Sequence, residues 1–118
     1  MQFDPMSPIW LQVMRALEGE IVSGKRHPGQ KLPGVRDLAL AYAINPNTAA
    51  HVYQEMEKAG LCETRRGMGT FVTQNAQRIE ALRRETARQA VQRFLCSMEG
   101  LGVSPREAAR IILEEVQE

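Results

Sequence analysis

The chain is poor in cysteine, poor in aromatics and short of long apolar runs, and each shortage removes a class of protein. It has only two cysteines, Cys62 and Cys96, without a C-x-x-C, and both histidines, His27 and His51, lie far from them in sequence. A disulfide framework and a zinc site are therefore not expected, and reduced thiols in a cytoplasmic setting are. No apolar stretch nears the roughly 20 residues needed to cross a bilayer, so no membrane partner is expected. The N-terminus, MQFDPMSPIW, has neither the basic start nor the apolar core of a secretory leader. A Walker-type phosphate loop, a nucleophile elbow and a clustered metal-ligand set are missing too, so neither catalysis nor a cofactor is expected. Gly67-Met68-Gly69 is too short to act as a nucleotide fingerprint. Charge of one sign is not in excess either, since 15 Lys and Arg stand against 14 Asp and Glu. Any polyanionic partner must be met by local placement of charge.

What is present is a globular pattern. Hydrophobic residues make up 43% of 118 positions, enough for one modest core or a small domain with an appendage. Ser7-Pro8 reads as the cap and first position of a helix. Ile9, Val13, Leu17 and Ile21 follow at four-residue spacing as its buried stripe. SGKRHPGQKLPG, residues 23–34, breaks that helix with glycines and prolines. After Gly34, the residues Val35, Leu38, Ala39 and Tyr42 line one face of a short second helix. Asp37 stands in its first turn, where a carboxylate favours the free N–H groups.

Ala43-Ile44-Asn45 is a tight turn, and Asn45-Pro46 opens a third helix as cap and first position. Ala49, Val52, Tyr53 and Met56 form its buried face, whereas Asn47, Thr48, His51 and Gln54 face outward. From Ile44 to Gln54 there is no acid. Two short helices joined by such a turn are a helix-turn-helix. Its second helix lays its N-terminal residues in the DNA major groove. Phosphates wall that groove and repel carboxylates, whereas amides, hydroxyls and cations read base edges. The acid-free start fits that surface.

LCETRRGMGTFV, residues 61–72, supplies two β-prone runs around Arg66-Gly67-Met68-Gly69, a hairpin with a glycine-rich tip. A basic hairpin just after a recognition helix is a wing, and Arg65 and Arg66 are its candidate phosphate contacts. Residues 78–93 then carry five arginines and two glutamates on a long amphipathic helix, with apolar Ile79, Leu82, Ala90, Phe94 and Met98. Gly100 and Gly102 break it. Ser104-Pro105-Arg106-Glu107 is a capping box for a final helix with Ala108, Ile111, Ile112 and Val116 on its apolar face. The expected fold is mainly α with a small β-hairpin wing: a winged helix-turn-helix domain over 1–74, then a two-helix dimerisation tail over 75–118. Ile79, Leu82, Ala90, Phe94, Met98, Ile111, Ile112 and Val116 are its expected dimer contacts.

SGKRHPGQKLPGVRDLA, INPNTAAHVYQEM and RRGMGTFV, in that order and spacing, closely resemble the winged helix-turn-helix of GntR-family transcription regulators over roughly residues 8–72. The short tail resembles the YtrA-like branch, in which two helices replace the large ligand-binding domain and make the dimer. The resemblance implies a homodimeric repressor of palindromic operator DNA. It implies that Arg36 reads a base, that Asn47 and Thr48 begin the recognition helix, and that Arg66 through Gly69 form the wing tip. The expected DNA-binding set is Arg36, Pro46, Asn47, Thr48, Ala50, His51, Arg65, Arg66, Gly67, Met68 and Gly69. Gly34 stands where many members have Ser, Ala43 where Gly commonly ends the second helix, and Ala50-His51 where Lys or Arg is frequent.

Plainer readings stand beside these. A winged helix also serves as a protein-docking module, and a third possibility is an architectural DNA binder without sequence preference. Arg36 and the arginines of 78–93 also fit a solvated face. His51 fits a phosphate contact or a surface residue without a role, and Tyr53 and Cys62 fit core packing. Cys96, beside Phe94, fits dimer-core packing better than a redox switch, because nothing nearby in sequence clearly lowers its pKa. No effector is assigned, because residues 73–118 leave little chain from which to build a dedicated pocket.

Overall fold

The computed structural model describes residues 1–116. Its elements run α1 Ile9–Val22, α2 Val35–Tyr42, α3 Pro46–Lys58, β1 Cys62–Arg65, β2 Gly69–Val72, α4 Ala76–Gly100 and α5 Pro105–Glu115. Two compact units divide the chain, Met1–Arg83 and the segment from Arg84 onward. The first unit thus takes in the opening turns of α4 as well as the helix-turn-helix and wing.

α1 begins one residue later than the Ser-Pro signal suggests. Pro8 is its N-cap, and no side chain caps it through Ser7. Gln12 reaches back instead: its Nε2 donates to the carbonyls of Asp4 and Ser7, and its Oε1 accepts from the Asp4 N–H. Val13, Leu17 and Ile21 are buried as the four-residue spacing requires, whereas Ile9 at the helix start is 44% exposed.

α2 ends where Ala43 turns into the left-handed region, at φ 54 and ψ 49. The Ile44 N–H then bonds the Ala39 carbonyl and the Ala43 N–H bonds that of Leu40, the pattern that normally recruits glycine. Asn45 caps α3 with its side chain, accepting from the Asn47 N–H at 2.8 Å, and Pro46 takes the first position. α3 closes on Gly60, at φ 76, with the Leu61 N–H on the Met56 carbonyl.

Ala49, Val52, Tyr53 and Met56 of α3 pack on Val13, Leu17 and Ile21 of α1, on Leu38 and Ala39 of α2, and on Leu32, Leu61, Cys62, Val72 and Leu82. Fully burying an aliphatic side chain of this size contributes about 1.5–3 kcal/mol. Leu82, expected at a dimer surface, is only 5% exposed within this core, and Ile79 packs against it. One turn earlier, Arg78 Nε donates to the carbonyl of Ala59 at 2.8 Å, capping the end of α3. Arg78 is therefore structural and not part of a solvated face.

The wing is a two-stranded antiparallel sheet in the register Cys62↔Val72, Glu63↔Phe71, Thr64↔Thr70 and Arg65↔Gly69. Lys31 bridges Phe71 from the other side. The Leu32 N–H on the Thr70 carbonyl and the Val72 N–H on the Gln30 carbonyl complete that edge.

In the second unit, α4 ends with Gly102 at φ 77 and the Val103 N–H on the Met98 carbonyl. Ser104 Oγ accepts from the Glu107 N–H at 3.2 Å and so starts α5. Ala108 is the buried residue between the helices. Ala90, Val91, Phe94, Leu95, Pro105, Ala109 and Ile112 line an open apolar groove beside it.

Candidate nucleic-acid interface

The exposed start of α3 carries Pro46 and Asn47, with Thr48, Ala50 and His51 partly covered behind them. Its first turn has no acidic residue. The partial positive charge of the helix N-terminus is therefore uncancelled on the outward face. Gln54 is exposed on the second turn, and the first carboxylate, Glu55, is held by its own neighbours: Lys58 Nζ at 3.3 Å and His51 Nε2 at 3.8 Å.

His51 packs against a neighbour on α1. Its ring meets the edge of Trp10 on α1, with centroids 4.8 Å apart and planes at 79°. The contact braces the imidazole from below while 42% of the side chain stays open to solvent. Trp10, which the sequence did not mark as part of this surface, thus fixes the posture of one of its members.

Arg36 lies at the second position of α2, exposed, on the helix that leads through the Ala43-Ile44-Asn45 turn into α3. Arg36, Leu40, Ala43, Ile44 and Pro46 rim a hollow between the two helices. Tyr53 keeps this pair of helices in register, because its hydroxyl donates to the Pro33 carbonyl just ahead of α2. Burial pushes the Tyr53 phenol well above its ordinary range, so it remains a neutral donor.

The wing tip is Arg66-Gly67-Met68, closed by the Met68 N–H on the Arg65 carbonyl at 2.9 Å. Gly67, at φ 77, supplies the left-handed residue of the loop. Arg66 and Met68 project from it, both exposed. Arg65 differs from its neighbour. Its Nη2 lies 2.7 Å and its Nε 3.0 Å from Glu63 Oε1, and its guanidinium stacks over Phe71 at 4.3 Å. Among the described residues Arg36, Arg66 and Lys31 form no ion pair, which leaves their charges available to a partner.

The surface is thus a helix start without acid, flanked by an arginine on the preceding helix and a basic hairpin. Residues 10–72 match the family described as bacterial regulatory proteins, gntR family. The chain belongs to the GntR family. It is a DNA-binding transcription regulator and not an enzyme.

An uncharacterized HTH-type transcriptional regulator of Bacillus subtilis, YhcF, is 38% identical over 106 residues, covering 90% of this chain and 88% of its own. The HTH-type transcriptional repressor YtrA of the same organism is 43% identical over 77 residues, covering 64% of this chain and 59% of its own. Among solved structures, a GntR family transcriptional regulator from Listeria monocytogenes superposes with a TM-score of 0.85 at 33% identity, over 98% of this chain and all of that one, 100%. The DNA-binding domain of AraR, crystallised in complex with operator ORX1, superposes with a TM-score of 0.57 at 27% identity, over 62% of this chain and 93% of that one.

Lys31 and Trp10 were missed in the sequence. Lys31 had a signal, since it alternates with buried Leu32 and so faces outward on an extended segment. Trp10 had none, because its contact with His51 depends on how α1 crosses α3. No helix among the described residues is long and apolar enough to cross a membrane.

Proposed function

We propose that this GntR-family protein is a repressor that binds two-fold symmetric operator DNA as a homodimer inside the cell. Asn47, Thr48, Ala50 and His51 enter the major groove from the start of α3, with Pro46 setting the entry of the helix. Arg36 takes a base or phosphate from α2, and the tip Arg66-Gly67-Met68-Gly69 lies along the flanking backbone. The observation that carries this reading is the acid-free first turn of α3, with Pro46 and Asn47 exposed, in a chain whose exposed Arg36 and Arg66 form no ion pair among the described residues.

The dimer rests on the second unit. Phe94 is 39% exposed, Ile112 42%, Leu113 74% and Leu101 77%, a concentration of apolar surface that a single copy leaves wet. A second copy laid on the groove covers Ala90, Phe94, Met98, Ile111, Ile112 and Val116. Ile79 and Leu82 are left out of this interface because they pack with the first unit. A two-fold partner also sets two recognition helices about 34 Å apart or a multiple of it, the spacing of successive major grooves. The repressor role follows the similarity to YtrA.

Selection of bound duplexes from a random library, repeated over a salt series, tests the proposal. The expected outcome is a palindromic consensus with half-sites one or two helical turns apart and a steep fall of affinity with salt. Binding without a consensus would make the protein an architectural binder. No binding at any salt would leave the docking-module reading.

A further inference from the structure

The wing carries three cations, and they are not equivalent. Glu63, Phe71 and Lys31 lie side by side across the sheet, because Phe71 pairs Glu63 on one edge and Lys31 on the other. Directly opposed residues share a face of a sheet, and so do residues two apart on one strand. Arg65 is two residues from Glu63, so the same face holds Glu63, Arg65, Phe71 and Lys31. On that face Arg65 is spent on Glu63 and on the Phe71 ring. The pair sums to zero charge, and a phosphate reaching Arg65 also meets the Glu63 carboxylate.

Lys31 has no such partner among the described residues, and its path is shaped by Gly69. A Cβ at Gly69 would stand 2.9 Å from Lys31 Cε and 3.7 Å from Nζ. The missing side chain is the lane in which the lysine's methylenes run toward the hairpin tip. Gly69 also has φ 119, which L side chains rarely adopt, so another residue would be strained there, and its Cβ would also push the flexible end of Lys31 aside. The ammonium is delivered beside Gly69, the residue that follows the tip Arg66-Gly67-Met68, from an isolated bridge in the loop ahead of α2. Its stem packs on the wing and its head stays wet, the usual arrangement for a phosphate-seeking lysine.

We infer that Lys31, with Arg66, is the wing's DNA-phosphate contact and that Arg65 is not. The inference rests on the DNA-binding reading of the wing and names which of its charges do the binding. It also assigns Gly69 a role, since the glycine makes room for a cation from elsewhere in the chain.

The test is equilibrium binding of the full chain to a random duplex and to the selected operator between 50 and 300 mM salt. Lys31→Ala and Arg66→Ala are each expected to flatten the slope of log affinity against log salt by about 0.9, the release for one phosphate contact. Arg65→Ala is expected to change it by less than half of that, and Lys31→Arg to keep it. Glu63→Gln, which frees Arg65, is expected to steepen it. A full-size change for Arg65→Ala, or none for Lys31→Ala while Arg66→Ala flattens the slope, overturns the inference and leaves the wing in contact with DNA. If no wing variant moves the slope while Asn47→Ala still weakens operator binding, the inference and the wing's part in binding both fall, and the recognition helix alone carries the function.

Discussion

Tyr53, in the middle of the recognition helix, donates its hydroxyl to the carbonyl of Pro33, twenty positions earlier in the chain. One hydrogen bond thereby sets the recognition helix against the segment from which α2 starts. Tyr53→Phe is expected to lower stability by about 0.5–1.5 kcal/mol, the net worth of one hydrogen bond. Denaturant titration checks this, with a lower midpoint at unchanged slope. Burial raises the folded-state pKa of this phenol above its ordinary 10, so the folded form holds its proton more tightly. The contribution is then constant below pH 10 and declines above it.

Ala43 holds the left-handed conformation at φ 54, where a Cβ is strained. Ala43→Gly is expected to raise stability by about 1 kcal/mol, because glycine carries no such penalty there. Thermal unfolding checks it, and a lower melting temperature would mean that the methyl contributes packing that outweighs the strain.

Arg36→Ala is expected to lose about 1–3 kcal/mol on the selected operator and little on random DNA, the signature of a base contact. Competition binding against both duplexes checks it. Equal losses would reassign Arg36 to a phosphate.

Phe94→Glu with Ile112→Glu is expected to give folded monomers in sedimentation and to abolish specific binding. Placing carboxylates in an apolar interface costs several kcal/mol. Leu82→Glu is expected to behave differently and unfold the first unit, because Leu82 is 5% exposed in its core. Circular dichroism separates the two outcomes. A folded Leu82→Glu monomer would return Leu82 to the dimer interface.

Burial, with Glu57 nearby, pushes the Cys62 thiol up to about 11, whereas Cys96 is exposed. At pH 8 a thiol reagent is expected to modify Cys96 in the native protein and Cys62 only after unfolding, since the thiolate is the reactive form. Mass spectrometry of the labelled peptides checks it.

The parts of this structure that were legible in the sequence are those governed by near neighbours. Asn45-Pro46 starts a helix by local rules, and the structure starts it there. Ser7-Pro8 obeys the same rules but is overridden, because Gln12 satisfies the backbone ahead of α1 from within the helix. The apolar stripe of α4 was visible as a stripe, but a period cannot name the surface it meets. Leu82 therefore looked like Phe94 until the core was seen to claim it. Arg78 was indistinguishable from the arginines after it, because its partner, the Ala59 carbonyl, lies nineteen positions earlier in the chain. The Glu63–Arg65 pair was legible in principle, since residues two apart on a strand share a face. Lys31 was legible as an outward-facing residue, but its place at the wing was not, because its pairing with Phe71 is long-range.

Trp10 is the chain's one tryptophan, and its ring stands 4.8 Å from that of His51. The protein thus carries its own optical probe, set against a side chain of the face proposed to meet DNA. Indole emission follows the charge and solvent around it, so intrinsic fluorescence reports what happens at His51 without any attached dye. Operator titrations of the unlabelled protein are expected to change indole emission, and His51→Ala is the control: there the same titration is expected to lose that signal while Trp10 remains in place.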